Sequence, residues 1–293
     1  MTLLLFLAQA IRIAVPYLFA AAGGALAERA GIVSLSLEGY MLGGAFGAVI
    51  GAHYTDSAWL AVVAGVAAGL LLAGIHAVGT LKYRADQVVT GVAINLFAVG
   101  ITRFFLQLAF DSSSNSPRVV GFGAENAGAG LALASNPLVW AGLAAMPVLA
   151  FVVGRTTFGL RVRAVGEHPA AAASVGVPVR RVRYVAVLGS GMLAALGGTY
   201  LALDQHQFTD SMTAGRGFIA LAAVIFGRWD PLRAGLACLL FAGAETLQIR
   251  LQAAQLIPSQ FVAMIPYVLT IVAVAGVVGR SVPPADLGRT ADG

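Results

Sequence analysis

Two long apolar runs, 136–154 and 184–203, flank a segment with six arginines (Arg155, Arg161, Arg163, Arg180, Arg181 and Arg183) and a single acid, Glu167. A run of about 20 apolar residues matches the hydrocarbon thickness of a bilayer. Short loops rich in Arg and Lys are retained on the cytoplasmic side. The pattern therefore sets both the solvent of the fold and the orientation of the chain. Composition agrees: 59% of residues are hydrophobic, 11% are charged and the mean hydropathy is +0.86, outside the balance of a soluble domain. A net charge of +5 does not mark a nucleic-acid partner, because the basic residues sit in short loops between apolar spans.

Working outward from the basic loop, 136–154 runs inward and leaves the Ser- and Gly-rich 111–135 outside. Span 88–109 starts inside, beside Lys82 and Arg84. Before it, 57–80 runs inward, 34–51 outward and 3–26 inward, so the N-terminus lies outside. Downstream, 184–203 runs outward, a short 215–227 returns, 232–249 leaves again and 260–279 comes back to Arg280. Nine crossings result, with the C-terminus inside. Thirteen of the 18 basic residues then fall on the cytoplasmic side and five (Arg12, Arg103, Arg118, Arg216 and Arg250) fall elsewhere, as that orientation requires.

The expected fold is an all-α polytopic membrane domain over 1–280, with a cytoplasmic loop at 155–183. A cytoplasmic, disordered-looking tail over 281–293 follows, separated from the last helix by Pro283 and Pro284. Ala25-Leu26-Ala27 imitates a signal-peptide cleavage site. No basic residue precedes the apolar run and Arg12 interrupts it, so the first span is read as retained. The lone Cys238 lies in an apolar run and reads as a packed thiol. The halves 3–109 and 184–279 each hold four spans, each with a short, Gly-opened second one, and they enter the membrane in opposite directions. An inverted repeat of that kind places a permeation site between the halves, near the broken helices. Gly43, Gly47 and Gly51, spaced at four, form a small-residue stripe for close helix packing.

Catalytic constellations are missing. The only lysine, Lys82, sits between Leu81 and Tyr83, so no phosphate-cradling Walker loop can be built, and His53, His76, His168 and His206 are scattered. An enzyme acting alone is therefore not the expectation. Polar residues inside the spans are more informative. In 28–39 the apolar pattern breaks at Gly31, Ser34, Ser36, Glu38 and Gly39, and Ser34 is placed to cap the helix that follows. A carboxylate such as Glu38 costs about 2–4 kcal/mol to carry into a bilayer, so it is expected to face a cavity or a partner. Asn95 in mid-span needs hydrogen-bond partners, as interhelical glue or as a substrate contact. Glu245 and Gln248 share a helix face with Phe241 and Gln252, a surface suited to a polar, ring-bearing ligand or to bundle packing. The segment 213–218 opens the short helix, and its backbone N–H groups are placed to face a ligand. In the basic loop, 167–178 has Pro at both ends of an Ala-rich stretch and predicts a short helix that stops at Gly176. Its surface suits insertion into a partner groove, with the arginines on acidic partner residues or lipid phosphates.

Three blocks resemble the permease subunits of bacterial ABC importers of the branched-chain amino acid and simple-sugar class, above all the nucleoside-type branch. They are Glu28-Arg29-Ala30-Gly31-Ile32-Val33 through Glu38-Gly39, then Thr157-Phe158-Gly159-Leu160-Arg161 through Gly176-Val177, then Met212-Thr213-Ala214-Gly215-Arg216-Gly217-Phe218 through Trp229-Asp230-Pro231. With 91–95, the likeness covers most of 11–280. It implies an inner-membrane importer of two permeases, homologous or identical, two cytoplasmic ATP-binding subunits and an external substrate-binding lipoprotein. ATP would be held by the partner subunits and no cofactor by this chain. It also implies that 167–176 is the coupling helix that docks on the ATPase. The chain departs from the nucleoside branch at Ser34 and Ser36, where that branch carries Asn and Gly.

The resulting expectation is an importer permease working by alternating access on a polar solute, with nucleosides ahead of simple sugars and branched-chain amino acids. The pathway is assigned to Ser34, Ser36, Glu38, Asn95, Phe218 and Glu245. Coupling is assigned to Glu167, His168, Pro169, Ala172 and Gly176. The rival reading, an ion-coupled transporter in one chain, needs a mid-membrane acid free to bind a proton or Na⁺, and only Glu38 and Glu245 qualify.

Overall fold

A computed structural model describes residues 3–122, 134–254, 264 and 282–289. The described residues are helical and contain no strand beyond one isolated bridge, Asn115 to Thr209. In chain order the helices are α1 (Leu3–Arg29), α2 (Leu37–Thr55), α3 (Ala58–Ala77, continued by a π-helical turn, Val78–Lys82) and α4 (Gln87–Phe110). After these come α5 (Pro137–Arg155), α6 (Thr157–Glu167), α7 (Pro169–Ser174), α8 (Val179–Gln205), α9 (Arg216–Phe226) and α10 (Pro231–Ala254).

Local chemistry sets many of the boundaries. The Val89 N–H donates to Asp86 Oδ1 (2.9 Å) at the start of α4, Leu138 N–H to Asn136 Oδ1 (3.0 Å) at α5, and Gly159 N–H to Thr156 Oγ1 (3.1 Å) at α6. Each side chain satisfies a backbone donor that the first helical turn leaves open. Helix α1 stops at Gly31 (φ +89°), where Ile32 N–H reaches Ala27 O and Gly31 N–H reaches Glu28 O, a Schellman closure. Gly176 (φ +82°) closes α7 in the same way through Val177 N–H to Ala172 O. The break after Gly176 is where the sequence places it; the separate helix α6 before it is not foreseen.

Among the described residues, six helices are long and apolar enough to cross a membrane: Leu3–Arg29, Ala58–Lys82, Gln87–Phe110, Pro137–Arg155, Val179–Gln205 and Pro231–Gln252. The chain is therefore a multi-pass membrane protein. The expected span 34–51 is occupied by α2, which begins only at Leu37 and runs to Thr55. The expected crossing 215–227 holds α9, whose 11 residues extend about 16 Å, half of a bilayer core of about 30 Å. That helix alone does not span. The expected ninth crossing, 260–279, lies outside the described residues.

Helix α8 is the hub against which α1, α2 and α3 pack, and small residues let them approach. A Cβ on Gly198 would lie 1.8 Å from Met41 O, one on Gly44 would lie 2.5 Å from Ala195 O, and one on Gly191 would lie 2.2 Å from Ala73 Cβ. Gly43, Gly47 and Gly51 face α3, where added Cβ atoms would meet Leu72, Ala68 and Ala64. Dispersion between closely packed backbones, together with interhelical hydrogen bonds, supplies the cohesion that lipid-exposed apolar surface cannot. Cys238 is buried in this core.

On the side opposite α6 and α7, residues 114–119 run beside 206–210, with Ser116 N–H to Phe208 O at 2.9 Å and Val119 N–H to His206 O at 2.8 Å. At the α6–α7 end, the tail differs from expectation: residues 282–289 are ordered by hydrogen bonds to Gly166, Gly31 and Gln87, with Pro284 buried.

Candidate functional site

The segment between α1 and α2 is not helical, so its backbone polar groups need partners from elsewhere in the chain. Asn95 of α4 partners both this segment and the first turn of α2. Its Oδ1 accepts from Gly39 N–H (2.8 Å) and its Nδ2 donates to Leu35 O (2.8 Å). Glu28 at the end of α1 supplies more, accepting from Ser34 N–H (3.2 Å) and from the indole N–H of Trp229, while Arg29 Nε donates to Trp229 O (2.6 Å). Motifs 200 residues apart in sequence thus form one cluster.

The start of α2 meets the start of α9. A Cβ on Gly217 would lie 2.4 Å from Glu38 N, so the two helix N-termini touch. The Glu38 carboxylate sits in the junction. Oε1 accepts from the Thr213 hydroxyl (2.6 Å) and Gly215 N–H (2.8 Å), and Oε2 accepts from Gly217 N–H (2.7 Å). An anion at a helix N-terminus is favoured by the dipole and by the open donors. The N–H groups expected to face a ligand are therefore filled by a side chain of the chain itself.

Beside this junction lies a cavity of about 330 Å³, lined by Glu38, Asn95, Leu96, Ser211, Thr213 and Phe218 among others. Phe218, one of its lining residues, is 46% exposed overall. The cavity is mostly apolar with a few polar groups on its wall, the usual make-up of a small-molecule site.

Three of the six residues assigned to the pathway, Glu38, Asn95 and Phe218, are brought together around this cavity. The other three are not on its wall. Ser34 is buried and donates through Oγ to Gly24 O (3.3 Å), so it does not cap α2; Ser36 occupies the cap position without a capping bond. Ser36 Oγ lies 2.9 Å from His76 Nδ1, which the Tyr40 hydroxyl also approaches. Glu245 pairs with Arg216 (3.1 Å) and accepts from the buried Tyr17 hydroxyl. Phe241, proposed to share a ligand-facing surface with Glu245, is buried and packs on Phe226 at 5.5 Å between ring centres. Sequence reasoning missed Thr213, Arg216 and His76 as partners. The signal was there in part: an acid and an amide inside spans demand donors, but nothing local says which.

At the other end, Glu167, His168 and Gly176 are exposed and Pro169 is half-buried around α7. Ala172 is buried and anchors α7 to the rest of the fold. Val175, not singled out by the sequence, is 79% exposed at the tip of this element.

The family model for the permease component of the branched-chain amino acid transport system matches residues 6–274. The chain belongs to that family. It is 38% identical to the guanosine ABC transporter permease protein NupQ of Bacillus subtilis, with 92% of this chain and 91% of the relative covered. It is 35% identical to the nucleoside ABC transporter permease protein NupC of Lactococcus lactis, with 97% and 95% covered. A putative glucose ABC transporter permease protein of Haloferax volcanii is 35% identical, with 84% and 77% covered. The chain is thus a transport component of the inner membrane, a permease subunit of an ABC importer.

Proposed function

We propose that this permease moves a nucleoside, as one of two permeases in an importer energised by separate ATP-binding subunits and fed by an external binding protein. The observation that carries the site assignment is the junction of two helix N-termini inside the membrane, sealed by Glu38 and bordered by the cavity that Phe218 faces. An aromatic face beside a few polar groups suits a planar base carrying a polyhydroxylated ring. Asn95 and Glu38 shape the wall through their bonds to the backbone, and Phe218, Ser211 and Thr213 are the residues that meet the solute. The departure at Ser34 and Ser36 leaves this reading intact, since both are engaged by Gly24 and His76. The names of the two nucleoside-linked relatives support the solute class.

In this reading the N-terminus lies outside, and α6 and α7 lie in the cytoplasm. Helices α1–α4 and α8 onward are inverted repeats whose broken second helices, α2 and α9, meet at the site. Helix α7 docks on the ATP-binding subunit through Glu167, His168, Val175 and Gly176, and ATP-driven closure rocks the two halves about the cavity. Neither intramembrane acid suits ion coupling, because Glu38 holds three donors and Glu245 is paired with Arg216. The test is guanosine uptake into proteoliposomes. Uptake is expected only with the ATP-binding subunits and ATP present. Uptake by this chain alone, driven by a proton or Na⁺ gradient, would overturn the proposal.

A further inference from the structure

Arg183, at the base of α8, is only 2% exposed, and its charge is met by Asp286 in the C-terminal segment. Burying an ion pair is a poor way to gain stability, and its best-attested use is to set register or hold a switch. The surroundings of this pair show what is being held. Asp286 N–H donates to Gly166 O (2.9 Å) and Ala285 N–H to Glu167 Oε2 (3.4 Å), which fixes the segment to the last turn of α6, directly before α7. Three residues further on, Gly288 N–H donates to Gly31 O (3.3 Å) and Gln87 Nε2 to Arg289 O (3.0 Å). The same Gln87 amide accepts from Val33 N–H (2.8 Å). Gly31 and Val33 lead into the non-helical stretch before α2, the helix that carries Glu38, and Gln87 opens the helix that carries Asn95.

We propose that residues 282–289 are a strap that passes displacement of the coupling segment to the substrate cavity, with Arg183–Asp286 as its pin. The proposal rests on the reading of α7 as the element gripped by the ATP-binding subunit. Two features make the strap more than a cover. Gly166 also packs directly on the end of α1, where an added Cβ would meet Arg29 O, and the strap adds hydrogen bonds to that contact. On its other side the strap borders a cleft of about 870 Å³, lined by Pro169, Ala173, Arg180, Arg183, Asp286 and Arg289 among others. Helix α7 thus borders open space, while the turn of α6 directly before it is hydrogen-bonded to the strap. A pull on α7 is delivered through Gly166 and Glu167 to the strap. From there it reaches Gly31, Val33 and Gln87, the residues that position Glu38 and Asn95.

The test uses the assembled importer in proteoliposomes, with three forms of this chain: Asp286→Asn, the pair Arg183→Gln with Asp286→Asn, and a chain ending at Val282. The paired variant removes both charges, so no bare cation is left buried. Co-purification with the ATP-binding subunits, ATP hydrolysis and solute moved per ATP are measured together. Association and hydrolysis are expected to persist while solute moved per ATP falls about tenfold. A normal ratio in the paired variant or the shortened chain overturns the strap. Loss of association in those forms also overturns it, because the segment is then part of the docking surface. Val175→Asp serves as the control for the underlying reading: if it leaves association intact, α7 is not the gripped element, whatever the strap variants do.

Discussion

At the scale of single residues, Glu38 is the strongest constraint on the site. Its carboxylate closes three donors contributed by residues more than 170 positions away. Glu38→Ala leaves Gly215 and Gly217 N–H groups without their acceptor inside the membrane, at a cost of about 1–3 kcal/mol for each. The thermal midpoint of the purified chain should fall clearly for Glu38→Ala. It should fall less for Glu38→Gln, whose single carbonyl can still accept from Thr213 and Gly215. Equal midpoints for the two variants would remove Glu38 from its role in the junction. That an acid at this position needs partners follows from solvation and is readable in the sequence. Which donors it takes depends on the meeting of two distant helix ends.

At the scale of elements, two helices are defined by glycine for different reasons. In α8, Gly198 admits the Met41 carbonyl, so even Ala is too large there. Gly198→Ala should lower the yield of folded protein. Gly100→Ala, in a helix interior where an added Cβ meets nothing within 4 Å, should match or exceed the parent by about 0.5–1 kcal/mol in a stability assay. At the end of α7, Gly176 is needed for its backbone: φ is +82° and the space around it is open. A β-branched residue there costs about 1–2 kcal/mol in the left-handed region and should unwind the last turn. Gly176→Val is therefore expected to weaken association with the ATP-binding subunits while membrane insertion stays normal, measured by co-purification and membrane fractionation. The punctuation of α7 by Pro169 and Gly176 is visible in the sequence because both act locally. The shortness of α9 is visible there too, since Gly215 opens the apolar run and Gly227 closes it well before a bilayer's length.

At the scale of the molecule, orientation can be checked with one native thiol out of the way. Cys238 is buried, so a Cys238→Ala background should be well tolerated. In it, Val175→Cys should react with a membrane-impermeant maleimide only after the membrane is opened. Ser112→Cys, beside the 114–119 segment, should react in intact cells. The reverse pattern would invert the chain and detach α7 from any cytoplasmic partner. The same scale holds the largest difference from expectation, the ordered C-terminal segment. Its composition, with Pro, Gly and charged residues, is that of a loose tail. Its order comes from hydrogen bonds to Gly166, Gly31 and Gln87 and from a buried arginine, none of them adjacent in sequence.

The amino-acid sequence by itself determined the membrane as solvent, the strongly basic loop, the stops at Gly31 and Gly176, and the family. Each follows from local composition, spacing or motif. Tertiary structure alone decided that Glu38 seals the start of α9, that Ser34, Ser36 and Glu245 face partners away from the cavity, and that the tail hydrogen-bonds to Gly166, Gly31 and Gln87. Those outcomes depend on which polar group finds which partner once apolar faces have packed. In a medium without water every such group must find one, but pairing over such distances leaves no local trace in the chain.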